Sequence, residues 1–306
     1  MTKSSTTFTK SPRVMFMGMG GAFSAVALKS LLERDVEVCT VVTPGPASTT
    51  PGSSGSPRLP LAEGAPPETI VSLAQERAIP VEYVSELDHA PTLTRLASYR
   101  PQVILVACLP YLFPSTLLQL PPQGCLNLHP SLLPAYRGPA PLFWQFRRGE
   151  RRTGVTLHLM NERLDTGDIL LQEPVALPDG ITGPEADAIL AQGGGRLMVD
   201  ALGLLEQDAL APRMQNESEG SYYPWPTEGD FQISTEWSAR RAFNFIRGTE
   251  EWDCAYEITI EQERFLIQSA LSYSAEHKLD KPYTLIGREL WVQFSPGVLR
   301  AVVAHA

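Results

Sequence analysis

Residues 13–43 read RVMFMGMGGAFSAVALKSLLERDVEVCTVVT. The run 13–19 is apolar and closes near a glycine, as a buried strand does. Residues 22–34 space their apolar side chains along one helical face, and 36–43 is a second apolar run of strand length. Strand, helix and strand in that order make a right-handed crossover, which sets the two strands side by side and parallel. Outward from this unit the alternation continues. Helices are expected near 67–78, 91–99, 114–119 and 139–148, and from about 182 to 207. Strands are expected at 79–84, 103–107, 124–129, 153–160 and 168–177.

Strands alternating with helices imply an α/β fold: a mostly parallel, Rossmann-like sheet with helices on both faces. Two stretches interrupt the pattern. Residues 44–66 (PGPASTTPGSSGSPRLPLAEGAP) are rich in Pro, Gly and Ser and read as a long flexible loop, a candidate lid. Residues 208–230 turn polar, with Pro, Glu and aromatics, and read as an interdomain linker. A helix at 235–247 follows. Short alternating runs at 256–260, 264–269, 289–294 and 298–303 then suggest a small antiparallel β-barrel. The expected organisation is a disordered tail at 1–11, a catalytic domain over 12–207, the linker 208–230 and a C-terminal β-barrel-like domain over 231–306.

The 306 residues are 43% apolar, enough for a sizeable core, and carry a net charge of −9. That balance gives no overall electrostatic footprint for nucleic acid. Cys39, Cys108, Cys125 and Cys254 have neither metal-ligand nor redox-pair spacing and read as thiols of a reducing compartment. The N-terminus lacks the apolar core of a secretory signal, and no apolar run suggests a membrane span, so the cytoplasm is expected.

The densest chemistry lies in GCLNLHPSLLPAYRGPAPLFW, residues 124–144. Asn127 and His129 are two apart on a strand and face the same way. They fall at the carboxyl end of the strand, where open α/β sheets hold their ligands. Pro130 ends the strand, and 131–138 forms a rim. Downstream, NERLDTGD (161–168) supplies Asp165 between two strands. A histidine with a carboxylate is suited to general acid–base work, and a neighbouring amide can donate to a developing oxyanion. Taken alone, each of these residues also fits an ordinary polar strand end or turn.

The stretches NLHPSLLPAYRGPAP and TGVTLHLMNERLDTGDILLQ resemble the 10-formyltetrahydrofolate-dependent formyltransferases, most closely the methionyl-tRNA formyltransferase branch. Asp165 lies 36 residues after His129, as in that family. The resemblance implies a Rossmann-like domain followed by a small OB-like β-barrel, and Trp237 and Arg247 fit the family's second domain. It implies direct formyl transfer to an amine, with Asn127, His129 and Asp165 as the catalytic trio and no metal. Asn127 would bind the oxyanion, His129 would bear on proton movement, and Asp165 would orient His129 and assist deprotonation. The folate pterin would sit against Cys108, Leu109, Tyr111, Phe113, Leu164 and Asp165. Ser131, Leu132, Leu133, Pro134, Arg137 and Gly138 would form the substrate loop. This chain has Cys108-Leu109-Pro110 where the family has a glycine-containing stretch.

A nicotinamide dehydrogenase is a weaker reading. Gly18-Met19-Gly20-Gly21 lacks the third glycine, since Phe23 stands there, and no acid ends the second strand. A non-catalytic module on the same fold is the other alternative, and the intact trio speaks against it. The acceptor stays open between initiator methionyl-tRNA and a small amine such as an amino sugar or amino-acid derivative. The loop 44–66 holds only Arg58 and Glu63, and 214–230 holds four acids and no base. Basic residues do occur at Arg147, Arg148, Arg151 and Arg152 near the site and at Arg240, Arg241 and Arg247 on the C-terminal helix, where a solvated helix face also accounts for them.

Overall fold

The computed structural model describes residues 12–45 and 68–304. The expected tail at 1–11 and nearly all of the 44–66 loop lie outside them. The chain opens with β1 (Val14–Gly18), α1 (Ala22–Leu32) and β2 (Val38–Pro44), then α2 (Ile70–Glu76), β3 (Val81–Val84) and α3 (Ala90–Ser98). It continues with β4 (Val103–Ala107), α4 (Ser115–Leu118), β5 (Cys125–His129) and α5 (Pro141–Arg148). The hairpin β6 (Arg152–Leu159) and β7 (Ile169–Ala176) leads into α6 (Gly183–Glu206). These strands form one sheet in the order β3-β2-β1-β4-β5-β6-β7. The first five are parallel; β6 and β7 run antiparallel to their neighbours.

Alternation along the strands sorts side chains onto two faces. Phe16, Leu105, Leu126 and Leu128 face the core under α1 and α6, whereas Met15, Met17, Ile104, Val106 and Cys125 face a second core with Leu96 and Leu117. Asn127 and His129 share the Cys125 face. Strands buried on both faces read as continuous apolar runs, which is why β1, β2 and β4 were visible from composition.

Among the described residues, α6 is the one helix with the length and apolarity to cross a bilayer, a feature the sequence reading did not pick out; half of its apolar window is buried. It packs on α1, β6 and β7, as the central helix of a core does. Its Gly194 and Gly195 lie where a Cβ would strike Leu128 and Ser30, so the helix needs glycine to come this close to β5 and α1.

The C-terminal part contains β8 (Gln232–Ile233), α7 (Ala239–Thr249), β9 (Tyr256–Ile260), β10 (Glu263–Ser274), β11 (Tyr283–Ile286), β12 (Glu289–Gln293) and β13 (Val298–Val303). Its sheet order is β11-β12-β13-β10-β9-β8. All pairs are antiparallel except β8–β9. One core joins α5 to this sheet: Phe143, Trp144 and Phe146 pack with Phe231, Phe245, Tyr256 and Leu290.

Candidate active site

The site is built at the carboxyl end of β5, beside β4. β5 and β6 pair antiparallel with Asn127 opposite His158 and His129 opposite Thr156. Cross-strand partners share a face, so the pairing brings a second imidazole to Asn127. The β6–β7 turn then folds Asp165 back over the strand ends. Asp165 Oδ1 lies 3.7 Å from His129 Nδ1 and 3.7 Å from His158 Nε2. Its Oδ2 accepts from the Gly138 amide at 2.9 Å. Groups from β5, β6 and the β6–β7 turn therefore meet, and the carboxylate stands between two histidines rather than beside one.

Backbone carbonyls set the tautomers. The Tyr136 carbonyl is 2.8 Å from His129 Nε2, so that nitrogen donates, and Nδ1 faces Asp165. The Leu159 carbonyl is 2.8 Å from His158 Nδ1, so that nitrogen donates and Nε2 accepts when the ring is neutral. The Asn127 Nδ2 amide is 3.1 Å from that Nε2. This orders the carboxamide: its nitrogen must face His158, and its second N–H has no bond within the described residues. Burial pushes the His158 pKa down to about 4, against a smaller opposing pull from Asp165. The ring is neutral at pH 7 and serves as an acceptor.

Asn127, His158 and Asp165 open on one cavity together with Leu109, Tyr111, Phe113, Met160 and Leu164. The lining also includes Asn161, Glu162 and Arg163, so apolar and aromatic side chains are combined with polar groups, a lining suited to a flat heteroaromatic ring with a polar edge. Of the residues assigned to the pterin from sequence, Leu109, Tyr111, Phe113, Leu164 and Asp165 line it. Cys108 has φ +53 and packs on the α1 side of the sheet; burial raises its thiol to about 12. His129 is buried behind Asp165 and is not part of the lining.

The rim residues have structural partners. Ser131 Oγ donates to the Ala135 carbonyl at 2.7 Å, and the Leu133 amide to Thr156 at 3.1 Å. Arg137 is buried and gives its guanidinium to Gln215 and Glu217. His158 was not singled out from the sequence. The available signal was its register: it alternates with Thr156 in a strand flanking the Asn-x-His strand.

A doubly wound sheet with a carboxamide, an imidazole and a carboxylate on one slot, and a second imidazole behind the carboxylate, defines a group-transfer enzyme of the α/β class. The chain belongs to the formyl transferase family, whose N-terminal domain model matches residues 13–202. It is 34% identical over 250 residues to a methionyl-tRNA formyltransferase of Desulforamulus reducens, covering 80% of this chain and 74% of that one. With the enzyme of the same name from Pelotomaculum thermopropionicum it shares 37% over 240 residues, covering 78% and 73%. In fold it resembles an N-formyltransferase from Helicobacter canadensis solved with folinic acid and dTDP-3-aminofucose. That likeness has a TM-score of 0.67 at 13% identity and covers 96% of this chain and all of that one.

Proposed function

We propose that this protein transfers the formyl group of 10-formyltetrahydrofolate to a primary amine, with Asn127, His129 and Asp165 as its catalytic groups. The reading is carried by Asn127 and Asp165 meeting at one slot, with His129 3.7 Å behind the carboxylate, and by the Leu109, Tyr111, Phe113 and Leu164 side chains that suit a pterin. The acceptor nitrogen attacks the formyl carbon and displaces N10 of the folate. The amine loses one proton and N10 gains one, so no redox partner is needed. The free N–H of Asn127 donates to the carbonyl oxygen as it becomes an oxyanion. Asp165 reaches the cavity and takes the amine proton, and His129 Nδ1, 3.7 Å behind Oδ1, is placed to receive that proton from the carboxyl. The proposed organisation is a catalytic unit over 12–207, a connecting segment 208–230 and a C-terminal unit over 231–306, working in the cytoplasm.

The acceptor we favour is methionyl-tRNA, on the strength of sequence likeness over most of the chain. A small amine is the second reading, favoured by the near absence of cations in residues 44–66 and 214–230. Losing one oxyanion donor costs about a hundredfold or more in turnover. Asn127→Ala, His129→Ala and Asp165→Ala are each expected to lose that much with folding intact, measured as tetrahydrofolate release with methionyl-tRNA. Near-normal turnover in any of the three refutes that residue's role. Repeating the assay across a salt series separates the acceptors, because phosphate contacts impose a steep salt dependence.

A further inference from the structure

Residues 213–223 do not hang free between the two halves. Arg213 exchanges two backbone hydrogen bonds with Ile169, and Ser221 and Tyr223 bond to Pro134, Tyr136 and Arg137. Gln215 lies at the centre of this strap. Its Nε2 donates to the carbonyls of Asp165, at 2.8 Å, and Gly167, at 2.7 Å. Its Oε1 accepts from Arg137 Nη2 at 2.7 Å and Nε at 3.1 Å. Both amide protons and both lone-pair directions are thus in use, and the amide cannot flip without opposing like groups.

Asp165 holds a left-handed backbone, φ +55, unusual for a residue with a side chain. Such a conformation persists where its surroundings hold it, and the direction of the carboxylate follows from it. The one side-chain donor to the Asp165 carbonyl among the described residues is Gln215. The same amide is tied through Arg137 to the loop whose Gly138 amide binds Asp165 Oδ2.

We propose that Gln215 is a positioning residue for formyl transfer, clamping the 165–167 turn to the 136–138 loop so that Asp165 stands between His129, His158 and the cavity. The proposal rests on the reading of Asp165 as the site's carboxylate. Gln215→Glu is the informative variant. It keeps the acceptor for buried Arg137 but loses both donors to the turn, whereas alanine would leave Arg137 short of a partner.

In the full chain, Gln215→Glu should lower kcat about tenfold to a hundredfold, since a misplacement near 1 Å costs that much, while KM for 10-formyltetrahydrofolate changes less than about threefold. Amide exchange should rise in peptides covering 136–138 and 165–168 and stay unchanged elsewhere. Added to Asp165→Asn, it should lower kcat less than about twofold further, because it acts through that residue. Wild-type kcat, an additive loss on the Asp165→Asn background, or exchange raised across the whole chain would each overturn the proposal. Asp165→Asn with normal turnover would instead overturn the reading of Asp165. An inactive Asp165→Asn beside a fully active Gln215→Glu would sink the clamp alone.

Discussion

His158 works by staying uncharged. Its Nε2 accepts from Asn127, and a proton there would face the amide with a second donor. Burial holds its pKa at about 4, below the 6.5 of the free side chain. The unfolded chain therefore binds more protons than the folded one between those values. Stability from this group is complete above pH 6.5 and is lost as pH falls toward 4, by about 3 kcal/mol in all. Denaturant unfolding of the wild type and of His158→Gln should give curves that converge as pH falls across that window. Curves that stay parallel from pH 7 to 4 would remove the neutral-histidine account, and with it the ordering of Asn127.

At the scale of elements, the N-terminus of α6 carries an unusual load. Thr182 and Glu185 form a reciprocal capping box there. The Glu251 carboxylate, from the short turn after α7, lies where a Cβ of Gly183 would be. Burial, with a smaller push from Asp187, raises the Glu251 pKa to about 7 from 4.5. Here the folded state holds the proton longer, so this stability is present below pH 4.5 and is lost as pH rises through 7. Glu251→Gln should match the wild type in unfolding free energy at pH 4 and exceed it at pH 8 by about 3 kcal/mol. A Gln variant less stable than the wild type at pH 8 would show that the carboxylate is held as an anion at the helix end. The same scale separates what sequence could tell from what it could not. The apolar runs of β1, β2 and β4 announce themselves, as does the Asn-x-His of β5. β8 is only two residues, and three of the four residues of β11 are exposed, so neither leaves a periodic trace. The strap at 213–223 is held by backbone bonds to Pro134, Arg137 and Ile169 and by the Gln215 amide, all to partners distant in sequence, which no local pattern encodes. Its polar composition reads as a linker for that reason.

At the scale of the molecule, the two sheets share side chains. Phe143, Trp144 and Phe146 come from α5, inside the segment matched to the family's N-terminal model, yet they belong to the core of the C-terminal sheet. The Phe143 ring lies 5.2 Å from those of Phe231 and Trp252 and 5.5 Å from that of Phe245. Arg241 of α7 stacks on Trp237 at 3.8 Å and donates two bonds to the Arg147 carbonyl at the end of α5. Burying each large side chain contributes about 1.5–3 kcal/mol, so three rings rival the whole net stability of a typical domain, about 5–15 kcal/mol. A fragment ending at residue 207 would expose all three and lose every bond of the strap. The two halves are therefore expected to fold as one cooperative unit despite their separate sheets. The full chain should melt in a single transition by far- and near-ultraviolet circular dichroism. Fragment 1–207 should show no cooperative melt and should bind a hydrophobic dye. A soluble fragment with native near-ultraviolet signal and its own sharp transition would mean that the shared aromatic core is a docking surface between two independently stable domains.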